Sequence, residues 1–337
     1  MPTWFGAPAL YGAVSLKRVS NRSLTLINMG LVVALAGGVG AAKLLRGLVR
    51  VVPQEDLIII GNTGDDFEFH GLHVSPDLDI VMYTLAGIVD DTKGWGIKGD
   101  TFGCLQTLGR LGFETWFNLG DRDLAVQIVR AELMEKGMTL SEAVSELCTR
   151  LGVKTKLLPM SNDPIQTVIL SGSIRLGFQE YFVKRASKDR VTGVLFQGCE
   201  NAKPAPYILE SISKAETVVI CPSNPFLSIG PILSIPGMRD SLKRTKARIV
   251  AVSPIVGAKA VKGPADRIMA SLGFEVSAYG VAKFYRDLLD LIIIDKVDEG
   301  LKTRFAALGV DVTVANTVMK SVEESVILAR EMVGVKR

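Results

Sequence analysis

The sequence predicts an α/β fold, a Rossmann-like, mostly parallel sheet flanked by helices with a small inserted α+β subdomain. Three observations predict it. Short apolar runs alternate with segments of helical periodicity, the pattern of a parallel sheet buried on both faces. Several of those runs feed directly into loops rich in glycine and polar residues, where open α/β sheets present their ligand loops. In the middle of the chain the alternation gives way to strand-like stretches with short connections, as antiparallel hairpins do.

The expected sheet strands are residues 32–36, 57–60, 116–119, 218–221, 249–252, 275–278 and 291–294. Helical segments lie between them, among them 41–51, 124–136 and 266–272. The stretches 156–158, 167–170, 178–183 and 191–196 are assigned to the antiparallel insert, whose turn charges (Lys184, Arg185, Lys188, Asp189, Arg190) read as a solvated hairpin. At the N-terminus, Lys17, Arg18 and Arg22 precede an apolar run over 24–36, the outline of a signal peptide. That run passes straight into glycines and an amphipathic helix, which a strand with a ligand loop explains and a signal sequence does not. Residues 1–29 therefore read as an extension ahead of the first strand, with Met29 just before it.

Composition narrows the function. A chain of 337 residues, 48% hydrophobic, can bury a large core without disulfides or structural metal. The net charge of +4 comes with no basic block or stripe, so nucleic acid is not expected as a partner. Cysteines 104, 148, 199 and 221 form no CxxC and have no histidine at ligand spacing, so they read as small buried hydrophobes in a reducing compartment. No stretch is apolar enough over about 18 residues to span a membrane. The protein reads as cytoplasmic.

Four loops could carry chemistry. The first, Ala36-Gly-Gly-Val-Gly-Ala-Ala-Lys43, follows a strand and opens a helix, so it can aim backbone N–H groups at an anion. It is neither a Walker A loop, because Leu44 follows Lys43, nor a full dinucleotide fingerprint, because Lys43 stands where the third glycine belongs. A tight strand–helix turn explains it equally well.

The second loop is more specific. It runs Gly61-Asn-Thr-Gly-Asp-Asp66, His70-Gly-Leu-His73 and Ser75-Pro-Asp-Leu-Asp79, with four aspartates and both of the chain's histidines. Carboxylates this dense repel one another unless a cation or hydrogen-bond donors neutralise them, and hard oxygen ligands suit Mg²⁺. Taken singly, Asp77 or Asp79 could cap a helix over 80–87, and Asn-Thr-Gly is turn-like.

The third region holds Lys93-Gly-Trp-Gly96, where Trp95 is either a flat platform for a planar ligand or a loop anchor. It also holds Gly120-Asp-Arg-Asp123, where at least one of Asp121 and Asp123 reads best as a cap of the next helix. The fourth is Cys221-Pro-Ser-Asn-Pro-Phe-Leu-Ser-Ile-Gly-Pro231, a proline-stiffened loop of hydroxyls and free N–H groups suited to nucleotide or phosphate. Beyond it, Lys259 and Lys262 offer charge for phosphate or are ordinary surface residues.

Together these loops resemble the 2-phospho-L-lactate transferases of deazaflavin coenzyme F(420) biosynthesis. The segments that carry the resemblance are AGGVGAAK, GNTGDDFEFHGLHVSPDLD, MYTL, GWG, LGDRD, LLPMSND, PSNPFLSIGPIL, IPG and SPIVGAKAVKGPAD, in order from about residue 32 to residue 266. The resemblance implies one transferase domain over 30–337, with the inserted subdomain at about 122–205. It implies transfer of a phospholactyl group, or a phosphoenolpyruvyl-type one, from a guanosine diphosphate-activated donor to the ribityl hydroxyl of the deazaflavin Fo, with release of GMP and Mg²⁺ as cofactor.

On that basis Asp65 and Asp66 are the expected catalytic residues, and Asp65 and Asp79 the metal ligands. Gly38, Gly40, Lys43, Asn62 and Asp77 are expected to contact substrate. Trp95 and Ser161 are placed beside the deazaflavin, and Ser223, Asn224, Ser228 and Gly230 on the guanosine diphosphate side with Lys259 and Lys262 nearby. A homodimer is expected. The competing readings are a nucleotide-sugar-binding regulator of the related family, disfavoured by the GWG segment and the complete PDLD loop, and an oxidoreductase, disfavoured by the imperfect fingerprint and the missing acidic ribose ligand.

Overall fold

The structure is a computed structural model that describes residues 30–334; the extension read at 1–29 lies outside the described residues. The chain opens with β1 (Val32–Ala36), α1 (Gly38–Leu48) and β2 (Leu57–Gly61). A hairpin of β3 (Phe67–Phe69) and β4 (Leu72–Val74) leads to α2 (Pro76–Leu85), α3 (Gly103–Arg110), α4 (Asp121–Glu135), α5 (Leu140–Arg150) and β5 (Lys156–Pro159). Three strands follow, β6 (Gln166–Ser171), β7 (Ile174–Gly177) and β8 (Gly193–Gln197), then α6 (Ile208–Lys214) and β9 (Thr217–Ile220). After α7 (Gly230–Ser234), α8 (Met238–Arg244) and β10 (Arg248–Val252) comes a small hairpin of β11 (Ile255–Val256) and β12 (Lys259–Ala260). The chain continues through α9 (Ala265–Ser271), α10 (Ala278–Tyr285), β13 (Leu291–Asp295), β14 (Asp311–Ala315) and α11 (Val322–Gly334).

Seven strands form one parallel sheet in the order β14-β13-β10-β9-β1-β2-β5. Its apolar runs are continuous because both faces are covered. Val33 and Leu35 of β1 join one core with Ile60, Ile220 and Ile249, while Val32, Ala34 and Ala36 join the other with Leu57, Ile59 and Val219. From β1 the chain goes to β2 on one side and later returns to β9 on the other. The strand order reverses there, and the carboxyl ends of β1 and β9 are the place where such sheets bind ligands. The antiparallel sheet β7-β6-β8 stands apart from the parallel one.

Four expected strands come out differently. Residues 116–119 are not a strand: Trp116 and Phe117 pack on Phe67 and Phe69, so the apolar run covers the β3–β4 hairpin. Residues 178–183 are helical, with Phe178 and Phe182 stacked one turn apart and Tyr181 buried. Residues 275–278 form the turn into α10, where the Ser277 side chain accepts the Gly280 N–H. The stretch at 156–158, assigned to the insert, is β5, an edge of the parallel sheet. The opposite edge, β14, alternates too weakly in hydrophobicity to be read from the sequence.

The segment between α2 and β5 is fastened by charge. Arg130 of α4 is wholly buried and pairs with Asp79 of α2. Gln127 Nε2 donates to Asp79 at 2.9 Å and to Asp123 at 2.8 Å, and the Tyr83 hydroxyl donates to Asp123 at 2.7 Å. Removing one partner of a buried pair strands the other charge, at about 3–5 kcal/mol. Arg130→Met should therefore lower Tm by roughly 6–15 °C, and adding Asp79→Leu should recover most of that loss. Thermal melts of the single and double variants check this; a double variant no better than the single would refute the charge argument.

Candidate functional site

The candidate site is built from three loops that follow β1, β2 and β9. Their closeness begins with residues that have no side chain. A Cβ on Gly37 would lie 2.6 Å from both Asp77 Oδ2 and Ser228 Cβ, and one on Gly40 would lie 2.3 Å from the Pro222 carbonyl oxygen. Both positions require glycine because another chain segment occupies that space. Ser223 stitches the loops after β1 and β9 together, accepting from Gly37 N–H at 3.2 Å and donating to the Gly37 carbonyl at 2.8 Å.

Asn62 performs the same service between the other pair of loops. Its Nδ2 donates to Asp77 Oδ2 at 2.9 Å and to the Leu227 carbonyl at 3.4 Å, and its Oδ1 accepts Gly64 N–H at 2.9 Å. Asn224 caps the π-helical turn Pro225–Ile229, its Oδ1 accepting from Phe226 and Leu227 N–H groups. Single-turn π elements of this kind recur at functional sites. Ser228 and Gly230 lie buried in and just after that turn.

Asp65, Asp66 and Asp77 converge here, and their surroundings separate their roles. Burial, then Asp77, then Asp66 hold the Asp65 carboxyl well above the usual range. Burial raises Asp66 too, offset by His73 Nε2 at 2.9 Å and the Ser75 hydroxyl at 2.7 Å. Asp77 is pushed up to about 6, chiefly by burial, with Asn62 opposing that shift. Asp66 and Asp77 thus have donors, whereas Asp65 Oδ1 is buried with no partner. Thr63 Oγ1, Thr167 Oγ1 and Asn224 Nδ2 are also buried without partners. Unpaired polar atoms are rare in folded interiors, and a polar or ionic ligand would satisfy those beside Asp65.

The remaining expected residues divide. Asp79 lies two residues past Asp77 on α2, with both oxygens engaged by Arg130 and Gln127. Neither Asp77 nor Asp79 is a cap: α2 starts at Pro76, which places both in its first turn. Lys43 Nζ donates to the Met319 carbonyl at 3.1 Å, and Lys262 Nζ to the Lys93 carbonyl at 3.3 Å. The two ammonium groups are near enough that Lys43, after desolvation, lowers the pKa of Lys262. Lys259 is exposed on the β11–β12 hairpin.

Trp95 is 38% exposed, with the Lys93 ammonium 5.5 Å from its ring centre, so its loop leaves the indole accessible. Ser161 is wholly buried; it donates to the Lys203 carbonyl at 2.6 Å and accepts from Asp163 N–H at 3.0 Å. His70 is exposed and bonds the Glu114 carbonyl, away from the carboxylates.

The expected capping of α4 by Asp121 or Asp123 is made instead by Asp100, and Asp121 turns to α3. Asp121 accepts from the Gly103 and Cys104 N–H groups that open α3, and Asp100 accepts from Arg122 and Asp123 N–H at the start of α4.

Sequence reasoning missed Thr63, Thr167, Gln127 and Arg130. Thr63 stands beside Asn62 and could have been read from the motif. The other three lie on β6 and α4, where nothing in the local pattern ties them to the loop after β2. Among the described residues no three His, Cys, Asp or Glu side chains form a set able to hold a metal ion by themselves. One or two carboxylates with substrate phosphate oxygens are, however, how Mg²⁺ is commonly held, and the unpartnered Asp65 oxygen fits that donor set.

The pKa of Asp77 gives a stability signature. It is 3.8 in the unfolded chain and about 6 in the fold, so the folded state binds the extra proton. Stability from this group is highest at low pH, falls as pH rises from about 4 to about 6, and is flat above. Asp77→Asn does not titrate. In chelated buffer its Tm should exceed that of the parent by about 2–6 °C above pH 6, the gap closing towards pH 4. A gap independent of pH would contradict the burial of this charge.

Comparison with known proteins adds to the geometry. Residues 32–329 match the family described as 2-phospho-L-lactate transferase CofD. The 2-phospho-L-lactate transferase of Methanosarcina mazei is 41% identical over 298 residues, 88% of this chain and 98% of that protein. The phosphoenolpyruvate transferase of Streptomyces griseus is 41% identical over 306 residues, 89% of this chain and 96% of that one. A crystal structure of a UPF0052 family protein from Bacillus halodurans has the same fold, with a TM-score of 0.59 at 18% identity, covering 91% of this chain and 99% of that one. No helix among the described residues is long and apolar enough to cross a membrane.

Proposed function

The chain belongs to the 2-phospho-L-lactate transferase CofD family, and from that premise we propose that it joins a guanosine diphosphate-activated three-carbon acid to the deazaflavin Fo. The observation that carries the proposal is the buried, unpartnered oxygen of Asp65 at the point where the strand order reverses. A carboxylate held out of water with one oxygen unpaired suits a site that receives charge and protons from a ligand.

In this reading the terminal ribityl hydroxyl of Fo attacks the phosphorus that bears the acid. A new P–O bond forms to Fo, the P–O bond to the nucleotide breaks, and GMP leaves with the bridging oxygen. The hydroxyl proton passes to Asp66, whose burial raises its carboxyl above the ordinary range and makes it a better acceptor than an exposed carboxylate. Asp66 is oriented by His73 and Ser75 for this task.

Phosphoryl-type transfer depends mainly on positioning and charge neutralisation. Mg²⁺ would be held by Asp65 with its neighbour Asp77, Asp79 being committed to Arg130, and when bound would spread the charge of the phosphate oxygens. Lys43, Lys262 and the α1 N-terminus at Gly38 and Gly40 take the diphosphate, and Lys259 lies on the same side. Ser223, Asn224, Ser228 and Gly230 shape the wall for the guanosine. Trp95 offers its exposed face to the deazaflavin ring.

Incubation with Fo, Mg²⁺ and each synthetic donor, read by mass spectrometry, should give one dominant product and GMP, and excess EDTA should abolish it. A protein that binds nucleotide but yields no product with any donor would instead be a nucleotide-binding regulator.

The platform is tested separately. Stacking on an aromatic face contributes about 1–3 kcal/mol. Trp95→Ala should therefore raise the Fo dissociation constant roughly ten- to a hundredfold, with little change in Tm because Trp95 belongs to none of the core clusters. An unchanged constant in a fluorescence titration would exclude the stacking role.

A further inference from the structure

Thr167 belongs to β6, in the antiparallel sheet, far in sequence from the loop after β2. The fold nevertheless binds the two together. Thr167 N–H donates to the Gly64 carbonyl at 2.6 Å, and a Cβ on Gly64 would lie 2.7 Å from Thr167 Oγ1 and 2.9 Å from Pro231 Cβ. The next residue is Asp65, and the Thr167 side chain lies beside its carboxylate. Thr167 is 1% exposed; its hydroxyl is close enough to lower the pKa of Asp65 as a donor would, yet neither that hydroxyl nor Asp65 Oδ1 makes a hydrogen bond of full geometry.

Threonine is a costly choice for a dry packing position. An unpaired buried hydroxyl costs about 1–3 kcal/mol, and valine has the same shape without that cost. A hydroxyl next to an unpaired carboxylate oxygen has a use when the carboxylate coordinates a cation. Ligating carboxylates are themselves fixed by hydrogen bonds, and losing such a support weakens metal binding by about 10–100-fold.

We infer that Thr167 is the positioning residue for Asp65: its hydroxyl donates to the carboxylate when a divalent cation is bound, so that the antiparallel insert completes the cation site. The inference rests on the reading of Asp65 as a cation ligand. It also gives the insert a part in the chemistry, through a side chain that touches neither substrate nor reacting atoms.

The test is Mn²⁺ binding to the whole protein, followed by electron paramagnetic resonance without substrates. Thr167→Val should weaken Mn²⁺ by roughly tenfold or more, and Thr167→Ser, which keeps the hydroxyl, should stay within about twofold to threefold of the parent. Metal-free Tm should be equal or slightly higher in the valine variant, since an unpaired hydroxyl is removed. Valine binding Mn²⁺ as the parent does, while Asp65→Asn does not, would overturn the role of Thr167 and leave Asp65 as the ligand. Serine weakening Mn²⁺ as much as valine would also overturn it, because the methyl group and not the hydroxyl would then matter. If Asp65→Asn binds as tightly as the parent, the cation reading of Asp65 falls, and the role of Thr167 with it.

Discussion

Three carboxylates of one chain segment, Asp65, Asp66 and Asp77, are held out of water beside one another, and their mutual repulsion constrains what surrounds them. Each neighbour can be understood as a response to that charge. His73 and Ser75 serve Asp66, and Asn62 serves Asp77. Arg130 removes a fourth charge, that of Asp79, from the competition. Asp65 alone is left with a free oxygen. A fold that spends so many donors on two carboxylates and leaves one oxygen of the third without a partner has given up stability at that point.

The parallel sheet explains why this is the place. Reversal of strand order after β1 brings the carboxyl ends of β1, β2 and β9 together, and only glycine at positions 37 and 40 lets their loops approach this closely. Ser223 and Asn62 then lock the loops with side-chain hydrogen bonds to neighbouring backbone and carboxylate groups. The chain belongs to a transferase family whose named group is phosphate-linked, and buried carboxylates at this point suit an anionic group gripped through a cation.

Much of this was legible in the sequence because it is local. The apolar runs of β1, β2, β9, β10 and β13 are buried on both faces, so their composition alone marks them as strands. The aspartates that converge lie within one segment and declared themselves by density. What was not legible depends on distant pairing. The 116–119 and 275–278 runs have strand-like composition, but Trp116 and Phe117 close an aromatic cluster and Ser277 caps a helix. The commitment of Asp79 to Arg130, the capping of α4 by Asp100 and of α3 by Asp121, and the approach of Thr167 to Asp65 all join segments whose adjacency only the folded chain reveals.

The central claim is that the free oxygen of Asp65 is a cation ligand at the reversal point of the sheet. Anomalous difference density from a crystal soaked in Mn²⁺ tests it most directly. The account predicts a peak about 2.0–2.2 Å from Asp65 Oδ1, on the side facing Asp77, with Asp79 still bonded to Arg130. A peak coordinated by Asp79 in place of Asp65, or no peak beside these carboxylates at saturating Mn²⁺ with donor present, would contradict it.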